Sequence, residues 1–188
     1  MSKTRSSLAV RIAAVAFLGF AGAAVAQEPP MVGGAPMLPT MTIPENASKA
    51  DNLTTLVAAV TAAGLVDTLA SDGPFTVFAP TNDAFAKLPA GTVDNLVKPE
   101  MKDTLTGILT YHVVAGNYTA NALAAAIDAG GGKAELKTVA GGTLTAMMKD
   151  GGIALMDAAG NTAMVTQANV TQKNGVVHVI DTVLMPKA

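Results

Sequence analysis

Three consecutive glycines, Gly130-Gly131-Gly132, separate two stretches whose apolar residues repeat with different periods. Upstream the spacing is helical: Leu53, Leu56, Val57 and Val60 share one face, and Gly64 follows where a helix end favours a left-handed residue. Leu65, Val66 and Leu69 predict a short second helix. Thr81 is placed to cap a helix through Lys87, with Asp83 in the first turn, where a negative charge meets the positive end of the helix dipole. Pro99 suits the first turn of a helix reaching Leu109, and Thr119 suits the cap of one reaching Ala129. Two strands are expected in this half, over 75–79 and 111–114. Downstream, β-branched and apolar runs alternate with Gly-containing turns, which predicts strands over 134–139, 143–149, 153–157, 162–170 and 176–185. Helices first and strands second imply an α+β fold and not alternating βαβ units. In the last strand Val176, His178 and Ile180 alternate with Val177 and Val179, so both faces are apolar and a central, doubly buried strand is expected.

The N-terminus has a different logic. Lys3 and Arg5 precede an apolar run over 8–25, broken only by Arg11, and Ala24-Val25-Ala26 ends it. A charged start, an apolar centre and a small-x-small ending predict a signal peptide over 1–26, cleaved between Ala26 and Gln27. The expected product is an exported protein of the periplasm or the medium, soluble after cleavage. The sequence has no cysteine, so neither a lipid anchor through a thiol nor a disulfide is available. Removing the three leader cations leaves nine Lys+Arg against fourteen Asp+Glu, a net charge of −5. That balance disfavours nucleic acid and anionic membrane as partners. Residues 27–42 are rich in Pro, Gly and Met without any period and read as an extended lead-in; 43–186 read as one domain.

Three segments, taken together, resemble the fasciclin-type (beta-Ig-H3/fasciclin) domain family. They are Thr76-Val77-Phe78-Ala79-Pro80-Thr81-Asn82-Asp83-Ala84-Phe85, Tyr111-His112-Val113-Val114-Ala115-Gly116, and Asn174-Gly175-Val176-Val177-His178-Val179-Ile180-Asp181. The lead-in and the single-domain length are similar to secreted bacterial members. The resemblance implies a wedge-shaped β-sandwich with several short helices packed along it. It also implies a non-enzymatic role, in cell-surface adhesion or matrix interaction, with carriage of a lipid-like or carotenoid ligand as the alternative. In animal members a segment before the last strand is linked to integrin binding. The matching stretch here contains Gln167, Asn169 and Val170, with Asn169 where an Asp is usual, so that role is not carried over.

Read for chemistry, the residues offer little. His112 and His178 are the only histidines, and with Asp181 they suggest either an acid–base or metal site or two buried side chains satisfied by internal partners. Asn82 and Asp83 are candidate binding groups or servants of the helix start; Tyr111 is a candidate acid or a buried phenol bonded at its tip. Phe78, Pro80, Thr81, Phe85, Asn174 and Gly175 complete the motif residues, for which a structural role is expected. No G-x-S-x-G, phosphate-loop, H-E-x-x-H or calcium-loop pattern occurs, so no catalytic residue, metal or cofactor is expected. Met37 and Met41 form an M-x-x-x-M pair, readable as a soft-metal site or as stray loop methionines. Met147, Met148, Met156, Met164 and Met185 cluster in the β-rich half, where they would either fill core or line an apolar groove. With so few aromatics, such a groove would be aliphatic.

Overall fold

The computed structural model describes residues 28–89 and 91–186; the expected leader and its cleavage site lie outside the described residues. The fold is α+β, with helices mostly in the first half and strands mostly in the second. A two-stranded hairpin, β1 (Met31–Val32) and β2 (Ala35–Pro36), leads into α1 (Ile43–Ala47). A 3₁₀ turn, Asp51–Leu53, runs into α2 (Thr54–Ala63), and α3 (Val66–Ala70) follows. After strand β3 (Phe75–Pro80) come α4 (Asn82–Ala86), α5 (Thr92–Leu96), a 3₁₀ turn (Pro99–Met101) and α6 (Lys102–Tyr111). Strand β4 (Val113–Ala115) and α7 (Ala120–Ala129) lead to β5 (Lys133–Lys137), β6 (Thr143–Lys149), β7 (Gly152–Met156), β8 (Thr162–Gln172) and β9 (Gly175–Ile180).

Local sequence explains the helix ends. Gly64 takes φ 73°, a left-handed conformation that a side chain would resist, and closes α2. The buried face of α2 is Leu56, Ala59, Val60 and Ala63, one stripe at 3.6-residue spacing. Thr81 and Thr119 accept the backbone N–H groups of Ala84 and Ala122, capping α4 and α7.

The seven main strands form one sheet in the order β4-β3-β9-β8-β7-β6-β5. Only β3 and β9 are parallel; the other pairs are antiparallel. Although β4 and β5 lie at opposite ends of that order, Val114 bridges to Thr138 and the Val139 N–H donates to the Val113 carbonyl at 2.8 Å. The sheet therefore folds over on itself. Strand β8 makes the bend possible, because its register with β9 shifts between Val165 and Gln167 and again before Val170, and Asn169 there has φ 59°.

Folding over gives β3 and β9 an interior on each side, as the two-faced pattern of 176–180 anticipates. Leu123, Leu136, Leu144, Leu155, Phe78 and Ile180 meet inside the fold of the sheet, where α7 lies against β5 and β6. Val77, Ala79, Val177 and Val179 face the other way, toward α1, α2 and α6.

Three expectations need correction. Tyr111 is the last residue of α6 and His112 its C-terminal cap, so the strand begins at Val113 and not at Tyr111. His112 accounts for this: its Nδ1–H donates to the Ile108 carbonyl one turn back, extending the helix by side-chain bonding. Residues after Ile180 leave the sheet and pack as a tail, held by Leu184 and Met185 N–H donations to His112 and Asp157. Finally, the lead-in is not wholly extended: it makes the β1–β2 hairpin, and Val32 and Met37 are buried in the helix-side interior.

Candidate functional site

The two histidines are built into the interior. His112 is buried, with Nδ1–H donating to Ile108 O at 2.8 Å and Nε2 accepting the Leu184 N–H at 3.0 Å. The Leu184 donor makes Nε2 an acceptor, which fixes the neutral tautomer with the proton on Nδ1. Burial pushes its pKa down to about 4. His178 is fully buried on β9; its Nε2–H donates to Tyr118 O at 2.7 Å and its ring stacks on Phe78, centroids 5.6 Å apart. Burial holds its pKa below the ordinary histidine value as well. Asp181 does not join them. It meets Lys87 at 3.2 Å at the surface and accepts the Met164 N–H at 2.8 Å. Partial burial would raise its pKa, but the Met164 amide, Lys87 and Thr182 outweigh that and hold it low. Among the described residues no three His, Asp or Glu side chains converge as metal ligands.

The other motif residues hold elements together. Asn82 accepts the Thr55 N–H and donates to Asp51 O and Thr54 Oγ1, pinning the start of α4 to that of α2. Asp83 is exposed in the first turn of α4. Asn174 accepts the Ile43 N–H and donates to Leu69 O and Ser71 O, tying α1 and α3 to the β8–β9 turn. Gly175 lies so close to β3 that a Cβ would collide with the Phe75 carbonyl. Pro80 ends β3 opposite Ile180, and Phe85 is buried among the helices. The Tyr111 hydroxyl donates to Thr143 O and accepts the Ala158 N–H; burial raises its pKa.

A feature with room for an apolar ligand lies elsewhere. A cavity of about 350 Å³ separates α1 and α2 from the β3–β9 face. That is within the range of pockets that hold small molecules, roughly 300–1,000 Å³. Its walls are aliphatic: Leu53, Leu56, Val60, Leu69, Val77, Val113, Val170 and Val177, with Met37 from the lead-in. Half-buried Pro44, Ala47 and Val57 and the exposed Glu45, Ser48, Thr61 and Val66 form the rim. The lining contains no Lys or Arg. Phe78, His112 and Gln172 contribute its aromatic and its internal polar surfaces.

Of the segment 167–170, only Val170 lines this cavity; the Gln167 amide donates to Met31 O and Asn169 accepts the Ala120 N–H at the start of α7. None of the five methionines of the β-rich half lines it. Met37 does, while the Met41 sulfur sits 3.1 Å from the Lys49 ammonium, a poor neighbour for a second cation. Sequence reasoning passed over α1, although Thr42-x-x-Glu45 is a capping-box signature and Pro44 a helix-start residue. It also had no means of seeing that Gln172 and Asn46, 126 residues apart, meet.

A Fasciclin domain model matches residues 51–186. Protein sll1483 of Synechocystis is 52% identical over 146 residues, covering 78% of this chain and 74% of its own length. Immunogenic protein MPB70 of Mycobacterium bovis is 41% identical over 148 residues, covering 76% of this chain and 67% of its own. Among solved structures, a FAS1 domain pair from the insect cell adhesion molecule Fasciclin I aligns with a TM-score of 0.69 at 19% identity. The alignment covers 78% of this chain and 51% of that one, and shows the shared fold.

Proposed function

Because the chain belongs to the fasciclin domain family, we propose that it is a non-enzymatic binding module acting outside the cytoplasm, and that its helix-side cavity takes up a small apolar ligand. The cavity is the observation that carries this reading. Protein interiors are normally packed to crystal-like density. A space of about 350 Å³ with an aliphatic wall is what a hydrophobic guest needs. The non-enzymatic part is supported by how the acid–base groups are used: both imidazoles are neutral, buried and bonded to the chain's own backbone. Export is supported by the leader-like N-terminus, and no helix among the described residues is long and apolar enough to cross a membrane.

A second reading is cell-surface or matrix adhesion, supported by the likeness to the domain pair of an insect cell adhesion molecule. The two are separable. Native mass spectrometry of the protein purified from its own host is expected to show an apolar adduct. An Ala47→Trp substitution at the half-buried rim is expected to abolish that adduct while the fold, followed by circular dichroism, is retained. An adduct-free native protein, with loss of surface attachment in a deletion strain, would favour adhesion instead.

A further inference from the structure

Two polar side chains, His112 and Gln172, interrupt the wall of the cavity, and a chain of hydrogen bonds dictates which way the second turns. Asn46 on α1 is fully buried. Its Oδ1 accepts the Leu38 N–H at 3.0 Å and its Nδ2 donates to the Leu38 carbonyl at 2.8 Å. A backbone N–H can only donate and a carbonyl only accept, so this pair fixes the Asn46 amide without ambiguity. The Asn46 Nδ2 also donates to Gln172 Oε1. Gln172, at the end of β8, is 5% exposed and lines the cavity. With its oxygen committed to Asn46, its Nε2 carries two N–H donors that bond to no other described residue, and the side chain stands between the aliphatic cavity and a second, polar hollow beside Thr42 and Asn174. An amide donor set in an aliphatic wall gains a hydrogen bond from a guest that supplies an acceptor. The buried side-chain atoms without partners among the described residues, Asn52 Oδ1 and His178 Nδ1, do not line the cavity. His112, which does, has both ring nitrogens engaged.

We infer that Gln172 is the specificity-determining residue of the cavity, and that the guest is a neutral aliphatic molecule carrying an acceptor oxygen, a ketone, ester or hydroxyl, which the Gln172 Nε2 donates to. A carboxylate is a poor guest. The lining has no cation to meet it, and the one charged residue at the rim is Glu45. This inference rests on the apolar-ligand reading of the same cavity.

The test compares three probes of matched length, decane, 2-decanone and decanoate, on the purified, delipidated protein and on Gln172→Met. Binding is followed by the methyl resonance of Met37, which lies in the wall. The wild type is expected to bind decane and 2-decanone, and decanoate more weakly than the ketone. In Gln172→Met the preference for 2-decanone over decane is expected to fall about fivefold to tenfold, the contribution of one net hydrogen bond. An unchanged preference, or tighter binding of decanoate, overturns the assignment while leaving the apolar cavity standing. No binding of any probe to the wild type overturns the cavity reading itself. Because Gln172→Met also loses the Asn46 bond, a measurement on the wild type stands beside it. The carbonyl ¹³C resonance of bound 2-decanone is expected downfield of its value in hexane, with a cross-peak to the Gln172 side-chain amide protons. A hexane-like shift without that cross-peak contradicts the inference.

Discussion

The interiors on the two faces of β3 and β9 are assembled from different materials. Inside the folded sheet, leucines from β5, β6 and β7 interlock with Leu123 and Ile127 of α7. Of the polar atoms there, the Tyr111 hydroxyl and the His178 Nε2 reach backbone partners, while the His178 Nδ1 has none. Strand pairing fixes the spacing between these side chains, so the space can be filled. On the opposite face six helices and the lead-in pack without a shared hydrogen-bond ladder. Their separations follow from side-chain size and from a few polar ties, and the small residues Ala47 and Ala79 border the unfilled volume. The difference teaches that the ladder-bound side of this fold specifies structure and the helix side has freedom to hold a guest.

Truncation should report the contrast most strongly. Leu155→Ala, in the filled interior, is expected to destabilise by about 4 kcal/mol in denaturant unfolding, because the vacated space cannot collapse. Leu56→Ala, in the cavity wall, should lie nearer 2 kcal/mol, since one side of that leucine already lacks neighbours. Equal costs would break the comparison.

Acid is the next lever. His112 has a folded pKa of about 4 against an ordinary value near 6.5. Between those values the unfolded chain binds the proton and the folded one does not, so stability rises with pH. Its contribution is complete above pH 6.5 and is lost as pH falls through 4, about 3 kcal/mol in all. Burial shifts His178 in the same direction. Asp181, also lowered, loses its contribution only below the ordinary carboxylate range, so the histidine window is separate. His112→Gln should flatten the stability profile between pH 7 and 4; an unchanged slope would show that His112 is not a buried neutral imidazole.

The smallest effect should come from the surface. Lys87 and Asp181 form an ion pair with both side chains solvated, and Lys87→Ala is expected to change stability by less than about 0.5 kcal/mol, diminishing with salt. A larger loss would mean that the tail after β9 depends on Lys87 and not on the His112 and Asp157 contacts.

Much of the fold was legible in the residues. Alternation along 176–180 gave a two-faced central strand, Thr81 and Thr119 marked their helix starts, and Gly130 closed α7 where the period changed. These signals are local, and local signals are what periodicity and capping report. What depends on contacts between distant residues was less legible. Tyr111-His112-Val113-Val114 has β-strand composition, yet Tyr111 ends a helix because tertiary packing and the His112 back-bond outweigh propensity. The methionines of the β-rich half drew attention to the wrong face, whereas the methionine in the cavity wall, Met37, came from a segment without any period. The Asn46–Gln172 pair joins residues far apart in sequence, and no local pattern announces such a meeting.

The central claim, one filled interior and one hollow one, is tested most directly by diffraction from a crystal under xenon pressure. Xenon enters apolar cavities and ignores packed core. The account predicts xenon between α1, α2 and the β3–β9 face, near Leu56, Val60 and Val177, and none among Leu123, Leu144 and Leu155. Xenon inside the folded sheet, or none on the helix side, would contradict it.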